Sequence, residues 1–114
     1  MKLKKDSSEQ KLRGAYYTPL QLANAMVNIC STDNIHTVLE PSCGDGVFLD
    51  SLKQLLLIDK IDSVDAVEIE SDEAKIVQNK YTNYDNVHVL NEDFFEFYSR
   101  MVTSRKQYDL ILGN

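Results

Sequence analysis

Tryptophan is absent from this chain of 114 residues, cysteine and proline occur twice each, and glycine four times. Cys30 and Cys43 are too few for a disulfide framework, and neither belongs to a pair with metal-ligand spacing. Both read as reduced thiols, the state expected in the cytoplasm. No apolar run approaches a membrane span, and the first residues carry charge where a signal peptide needs an apolar core. Positive charge is also short, with 12 Lys and Arg against 18 Asp and Glu for a net −6. Residues 1–13 hold five of those cations against Asp6 and Glu9, a local +3 that leaves −9 for the remainder. An acidic body argues against this segment as a main nucleic-acid surface, because phosphate affinity comes from Lys and Arg. The basic stretch 1–13 has no apolar periodicity and reads as a solvated, mobile N-terminal segment.

What is present fits one modest domain, 14–114. Its most informative stretch is Val38–Leu49, Val-Leu-Glu-Pro-Ser-Cys-Gly-Asp-Gly-Val-Phe-Leu. An apolar strand over His36–Glu40 ends in an acid. Two of the four glycines, Gly44 and Gly46, follow in a tight turn. Val47, Phe48, Leu52, Leu55 and Leu56 then recur at helical spacing, to about Ile58. Strand, glycine turn and helix open a Rossmann-like domain, with helix N–H groups facing the turn. The spacing is not the dinucleotide G-x-G-x-x-G, since no third glycine follows and Glu40 and Asp45 flank the turn. Two carboxylates repel a pyrophosphate. They suit a ligand with an ammonium group and hydroxyls, such as S-adenosylmethionine (SAM).

The rest of the chain alternates. Leu22, Ala23, Met26, Val27 and Cys30 make one face of a helix, with Thr18 as N-cap and Pro19 as first helical residue. The pattern predicts a second strand over Ser63–Ile69 and a helix over Ser71–Thr82 with Ala74, Ile76, Val77 and Tyr81 inward. A third strand follows at Val87–Leu90, a short helix at Phe94–Tyr98 and a fourth strand at Tyr108–Leu112. This order predicts an α/β fold with a mainly parallel sheet, and functional residues at the carboxyl ends of its strands. Glu40, Glu68, Asp93 and Asn114 fall at those ends.

Chemistry assigns them roles. Glu68, 22 residues after Gly46, suits the two ribose hydroxyls of a nucleoside, with Glu70 as the competing acid. Ile69 is either a face for the adenine or a core residue. Asp93 can accept from an adenine amine or cap a helix starting at Phe94. Phe94 can stack on the ring or pack in the core, with Phe95 and Phe97 as alternative core members. Asp50 reads as a solvated charge. An Asn114 amide at the end of an apolar strand can accept from an amine and hold its lone pair toward a methyl donor.

Taken together, these residues resemble the N-terminal part of the γ-class N6-adenine DNA methyltransferases of restriction–modification systems. The likeness rests on Tyr16-Tyr17-Thr18-Pro19, the Leu39–Leu49 block, Glu68, Asp93-Phe94 and the run from Asp109 to Asn114. It implies a Rossmann-like SAM-dependent methyltransferase fold, truncated after the fourth strand. It implies that Tyr17, Thr18 and Pro19 border the methionine end of SAM, with Glu40, Ser42 and Gly44 lining the same pocket. By the same likeness Glu68 takes the ribose, Ile69, Asp93 and Phe94 take the adenine, and Asn114 orients the amine of a flipped adenine. DNA would be bound through regions absent here. The family's Pro-Pro-aromatic after Asn114 is also absent, so the chain alone is expected to give no turnover in a radiolabelled methyl-transfer assay on DNA. A fourth strand left at a sheet edge invites self-association. Amino methyltransferases of RNA or protein glutamine, and a product that only binds SAM or a partner chain, are the alternatives.

Overall fold

The computed structural model describes residues 18–30 and 34–113. The basic segment 1–13, Tyr16, Tyr17 and Asn114 lie outside the described residues. The elements run α1 (Leu20–Ile29), β1 (Thr37–Glu40), α2 (Val47–Gln54), a 3-10 turn (Ile58–Lys60), β2 (Ser63–Val67), α3 (Ser71–Lys80), β3 (Val87–Leu90), α4 (Phe94–Ser104) and β4 (Leu110–Ile111). The sheet is parallel throughout, in the order β3-β2-β1-β4. Val38 of β1 lies between Val64 of β2 and Leu110 of β4. The chain builds outward from β1 to β3, and α4 then returns it to the far side of β1. The strand order therefore reverses between β1 and β4, the place where open α/β sheets bind ligands. This is the α/β, Rossmann-like architecture expected. Among the described residues no helix is long and apolar enough to cross a membrane.

Alternation along the strands divides the core between two faces. Val38, Val64 and Ala66 join Ala23, Val27, Phe48, Leu52 and Val77 from α1, α2 and α3 in the larger cluster. Leu39 and Val67 point the other way and meet Phe97 of α4 in a smaller one. Phe97 is thus the core member of the aromatic run, Phe94 flanks it half-buried, and Phe95 is exposed.

Several local expectations are corrected. Pro19, not Thr18, occupies the cap position of α1, because its extended backbone (φ −63°, ψ 146°) places it just outside the helix while its carbonyl accepts from Ala23 N. Leu22 and Ile76, read as inward, are exposed. α2 stops at Gln54 rather than near Ile58. Leu56 adopts a left-handed φ of 61°, and the N–H groups of Leu56 and Leu57 return to the carbonyls of Lys53 and Leu52, a Schellman closure made without glycine. Leu56 is thereby exposed, and burial of Ile58 and Ile61 accompanies it. α4 is more than twice the expected length and ends the same way. Arg105 sits at φ 58°, with Lys106 N donating to Met101 O and Arg105 N to Val102 O. Asp50 is no free surface charge: its carboxylate accepts from the Tyr81 hydroxyl and from Lys80 Nζ, tying α2 to α3.

Candidate functional site

The carboxyl ends of β1, β2 and β3 meet through their loops. Glu40 ends β1 and is 3% exposed. Its Oε1 accepts from Ser42 N at 2.8 Å, which folds the Pro41–Ser42 step back onto the strand end. Cys43 N then donates to Val67 O (2.8 Å) and seats the turn on β2. Gly44 (φ 53°) and Gly46 (φ 85°) are both left-handed, the conformation for which glycine is suited. A Cβ on Gly46 would also come within 3.2 Å of a buried Val77 methyl, so the glycine lets α3 close on the turn.

Glu68, one residue past β2, is the hub. It is 6% exposed. Its Oε1 accepts from Gly44 N and its Oε2 from Glu70 N, each at 2.8 Å. A carboxylate expected only to meet a ligand therefore first organises its own loop and the glycine turn beside it. Asn91, directly after β3, donates from Nδ2 to the carbonyls of Glu68 (2.8 Å) and Ile69 (3.0 Å). Sequence reasoning missed Asn91; the available signal was an amide immediately after an apolar strand. Ile69 is 64% exposed, which excludes its core reading and leaves the side chain beside the strand ends. Asp93 caps α4, accepting from Phe95 N at 2.8 Å through Oδ1, so the helix-cap alternative describes that oxygen. Ser42 and Pro19 are exposed, and Thr18 is buried at the start of α1. Gly113 passes close to Glu40: a Cβ there would lie 3.3 Å from Oε1. Tyr17 and Asn114 lie outside the described residues, so their assignments rest on the sequence alone.

Burial pushes the Glu40 carboxyl up to about 8, with the charge of Glu68 adding to the rise and the Ser42 N–H opposing it. Burial, with the same two carboxylates nearby, raises Cys43 far enough to hold it as a neutral thiol. The turn residues therefore offer a carboxyl that needs a cation to ionise. Residues 40–46 and 68–72 contain Glu40, Asp45, Glu68, Glu70 and Asp72 and no Lys or Arg. That set of acceptors fits SAM, whose sulfonium and ammonium are cationic and whose ribose donates hydrogen bonds. It does not fit a pyrophosphate cofactor.

Glu40→Gln gives a test with a defined sign. With its folded value raised from 4.5, Glu40 adds stability that is fully present below about 4.5 and lost as pH rises through about 8. Without SAM, the glutamine variant should be more stable than the parent at pH 9, by on the order of 3–5 kcal/mol. The difference should vanish at about pH 4, below the ordinary glutamate value. Thermal melts at both pH values check this; a variant that is less stable at pH 9 contradicts it.

Comparison with known proteins decides the family. The family model for N-6 DNA methylases matches residues 3–108. This chain belongs to the N-6 DNA methylase family. The type II methyltransferase M.HincII of Haemophilus influenzae is 31% identical over 109 residues, covering 96% of this chain and 18% of the relative. Type II methyltransferase M.HindII, from strain Rd of the same species, is also 31% identical over 109 residues, at 96% and 17%. The modification methylase CviBIII of Paramecium bursaria Chlorella virus NC1A is 32% identical over 78 residues, at 68% and 18%. This N-6 methylase chain thus spans less than a fifth of the length of these relatives. Among solved structures it is similar to a putative caffeoyl-CoA O-methyltransferase from Staphylococcus aureus, with a TM-score of 0.60 and 15% identity over 92% of this chain and 49% of that one. The 23S rRNA methyltransferase ErmE gives 0.54 and 23% over 69% and 30%. These likenesses concern the fold, which is that of the SAM-dependent methyltransferases.

Proposed function

We propose that this chain supplies the SAM-binding part of a γ-class enzyme that methylates the N6 amine of adenine in DNA, in the cytoplasm. The observation that carries the reading is the pair of buried carboxyl groups that hold the loop after β1 beside the β1/β4 switch point, Glu40 accepting from Ser42 N and Glu68 from Gly44 N. In this reading Glu68 accepts from the ribose hydroxyls. Ile69 and Phe94 border the adenine, and Asp93 accepts from its amine. Glu40, with Ser42, Gly44 and the Tyr17–Pro19 segment, faces the methionine end. Bound SAM supplies the methyl group. Asn114 would accept a hydrogen bond from the target amine and hold its lone pair in line, so the chain's contribution is positioning rather than a covalent intermediate. Cys43, buried and neutral, takes no nucleophilic part. The description of the matching family, N-6 DNA methylase, favours DNA over RNA or protein glutamine as substrate. Calorimetric titration of SAM, with Glu68→Ala and Asp93→Ala as controls, tests the cofactor site. If neither substitution weakens binding, the assignment is wrong.

The outer side of β4 supports self-association. β4 pairs only with β1 among the described strands, and Ile111 is 62% exposed on it. Sedimentation should show a weight-average mass rising with concentration, and Ile111→Lys should suppress the rise. A monomer at all concentrations would exclude this role.

A further inference from the structure

We propose that Asn91 is a positioning residue for SAM, acting through Glu68; this rests on the reading of Glu68 as the ribose acceptor. The β2–β3 ladder makes its last rung where Glu68 N donates to Leu90 O at 2.9 Å. One residue later β3 turns away toward α4, and strand pairing can no longer satisfy the next carbonyls of the β2 loop. The Asn91 side chain takes over. One amide nitrogen, with two hydrogens, donates to two consecutive carbonyls, Glu68 O at 2.8 Å and Ile69 O at 3.0 Å. This sets the backbone direction from which the Glu68 side chain departs toward Gly44 N and the exposed Ile69 side chain departs from the strand end.

The loops after β1, β2 and β3 become one hydrogen-bonded unit: Asn91 to the 68–69 backbone, and the Glu68 carboxylate to Gly44 and Glu70. The chemistry is specific to an asparagine. Aspartate has the shape but no donor, serine has one donor, and glutamine is a methylene longer. Both Asn91 hydrogens are spent on backbone, so the residue acts on the cofactor indirectly. Without it the Glu68 carboxylate samples several directions, and only a fraction of molecules present it as the ribose requires.

The test is a double-mutant cycle on the full chain, with SAM affinity read by calorimetry. Asn91→Ala should weaken binding about 10-fold, and Asn91→Ser, which keeps one donor, should fall between it and the parent. The Asn91→Ala/Glu68→Ala double variant should bind no more weakly than Glu68→Ala alone, because Asn91 has nothing left to position. Amide exchange without ligand supplies a readout that survives if alanine lowers overall stability: Gly44 and Glu70 should exchange faster in Asn91→Ser, while Val64 and Ala66 keep their protection. Additive losses overturn the proposal, since Asn91 would then act independently of Glu68. Unchanged affinity in Asn91→Ala beside a large loss in Glu68→Ala overturns it and leaves the Glu68 reading intact. Unchanged affinity in both overturns the two together.

Discussion

Replacing Glu68 by alanine is expected to raise the dissociation constant for SAM by at least roughly 100-fold. Two hydrogen bonds from ribose hydroxyls to an ionised acceptor contribute about 1.5–3 kcal/mol each, and tenfold in affinity is about 1.4 kcal/mol. The structure adds a second cost. Gly44 N and Glu70 N, both held at 2.8 Å by this carboxylate, lose their acceptor, so the glycine turn loosens before any ligand arrives. Glutamine can keep one of these bonds but presents an amide donor to the other N–H. Its binding loss should be intermediate. Titration calorimetry distinguishes the three proteins, and melts without ligand separate the loosened turn from the lost contact. Wild-type affinity in Glu68→Ala, at unchanged melting temperature, would falsify the ribose assignment.

The second large effect lies on the opposite face of the sheet. Asp65, in the middle of β2 and 5% exposed, accepts from Lys106 Nζ at 2.7 Å and the Tyr108 hydroxyl at 2.6 Å, with His88 Nδ1 at 3.1 Å. Burial alone would push this carboxyl up; the Lys106, Tyr108 and His88 contacts outweigh it and hold Asp65 below its ordinary value. Burial and the Asp65 bond push the Tyr108 phenol upward in turn. Asp65→Ala removes the acceptor that three side chains share and leaves a cavity. It should cost about 2–4 kcal/mol, discounted because Lys106 is partly exposed. For a domain of this size that is more than about 10 °C in Tm. Because the folded value is depressed, the contribution is present above the ordinary aspartate range and is lost as pH falls through the folded value. The gap between parent and variant should therefore shrink in acid. A variant melting within about 2 °C of the parent at pH 7 would show that the network is neutral.

This network explains why α4 exceeds its expected length. Sequence reasoning followed the aromatic run and stopped at Tyr98, where the apolar pattern fades. The helix continues because Met101 packs beside Phe97, and because the left-handed Arg105 then turns Lys106 back onto Asp65. Lys106 and Asp65 lie 41 residues apart, and no local pattern joins them. Asp65 itself sits in the strand expected over Ser63–Ile69, where an acid among apolar residues looks like an outward one. Its burial was decided by which partners the third dimension delivered.

Asp109 belongs to the block that carried the family resemblance, yet its structural role is distinct from any cofactor. Its Oδ2 accepts from His36 N at 2.6 Å and Thr37 N at 3.1 Å, bracing the start of β4 against the start of β1. Those bonds hold its carboxyl below the usual range although the residue is exposed.

By itself the sequence determined the elements and the edge on which chemistry gathers. Period-two apolar runs, a Gly44–Gly46 turn and acids at strand ends are local signals, and local signals survive without coordinates. The parallel direction of the strands followed from the β-α alternation, whereas their order and register came with the structure. The tertiary structure alone decided what each polar group bonds. Glu68 reaches Gly44 across 24 residues, Asn91 reaches Glu68 and Ile69 across 23 and 22, and Lys106 reaches Asp65 across 41. Hydrogen bonds act over about 3 Å, and whether two distant residues come that close depends on the packing of the sheet and helices between them, which no window of sequence contains.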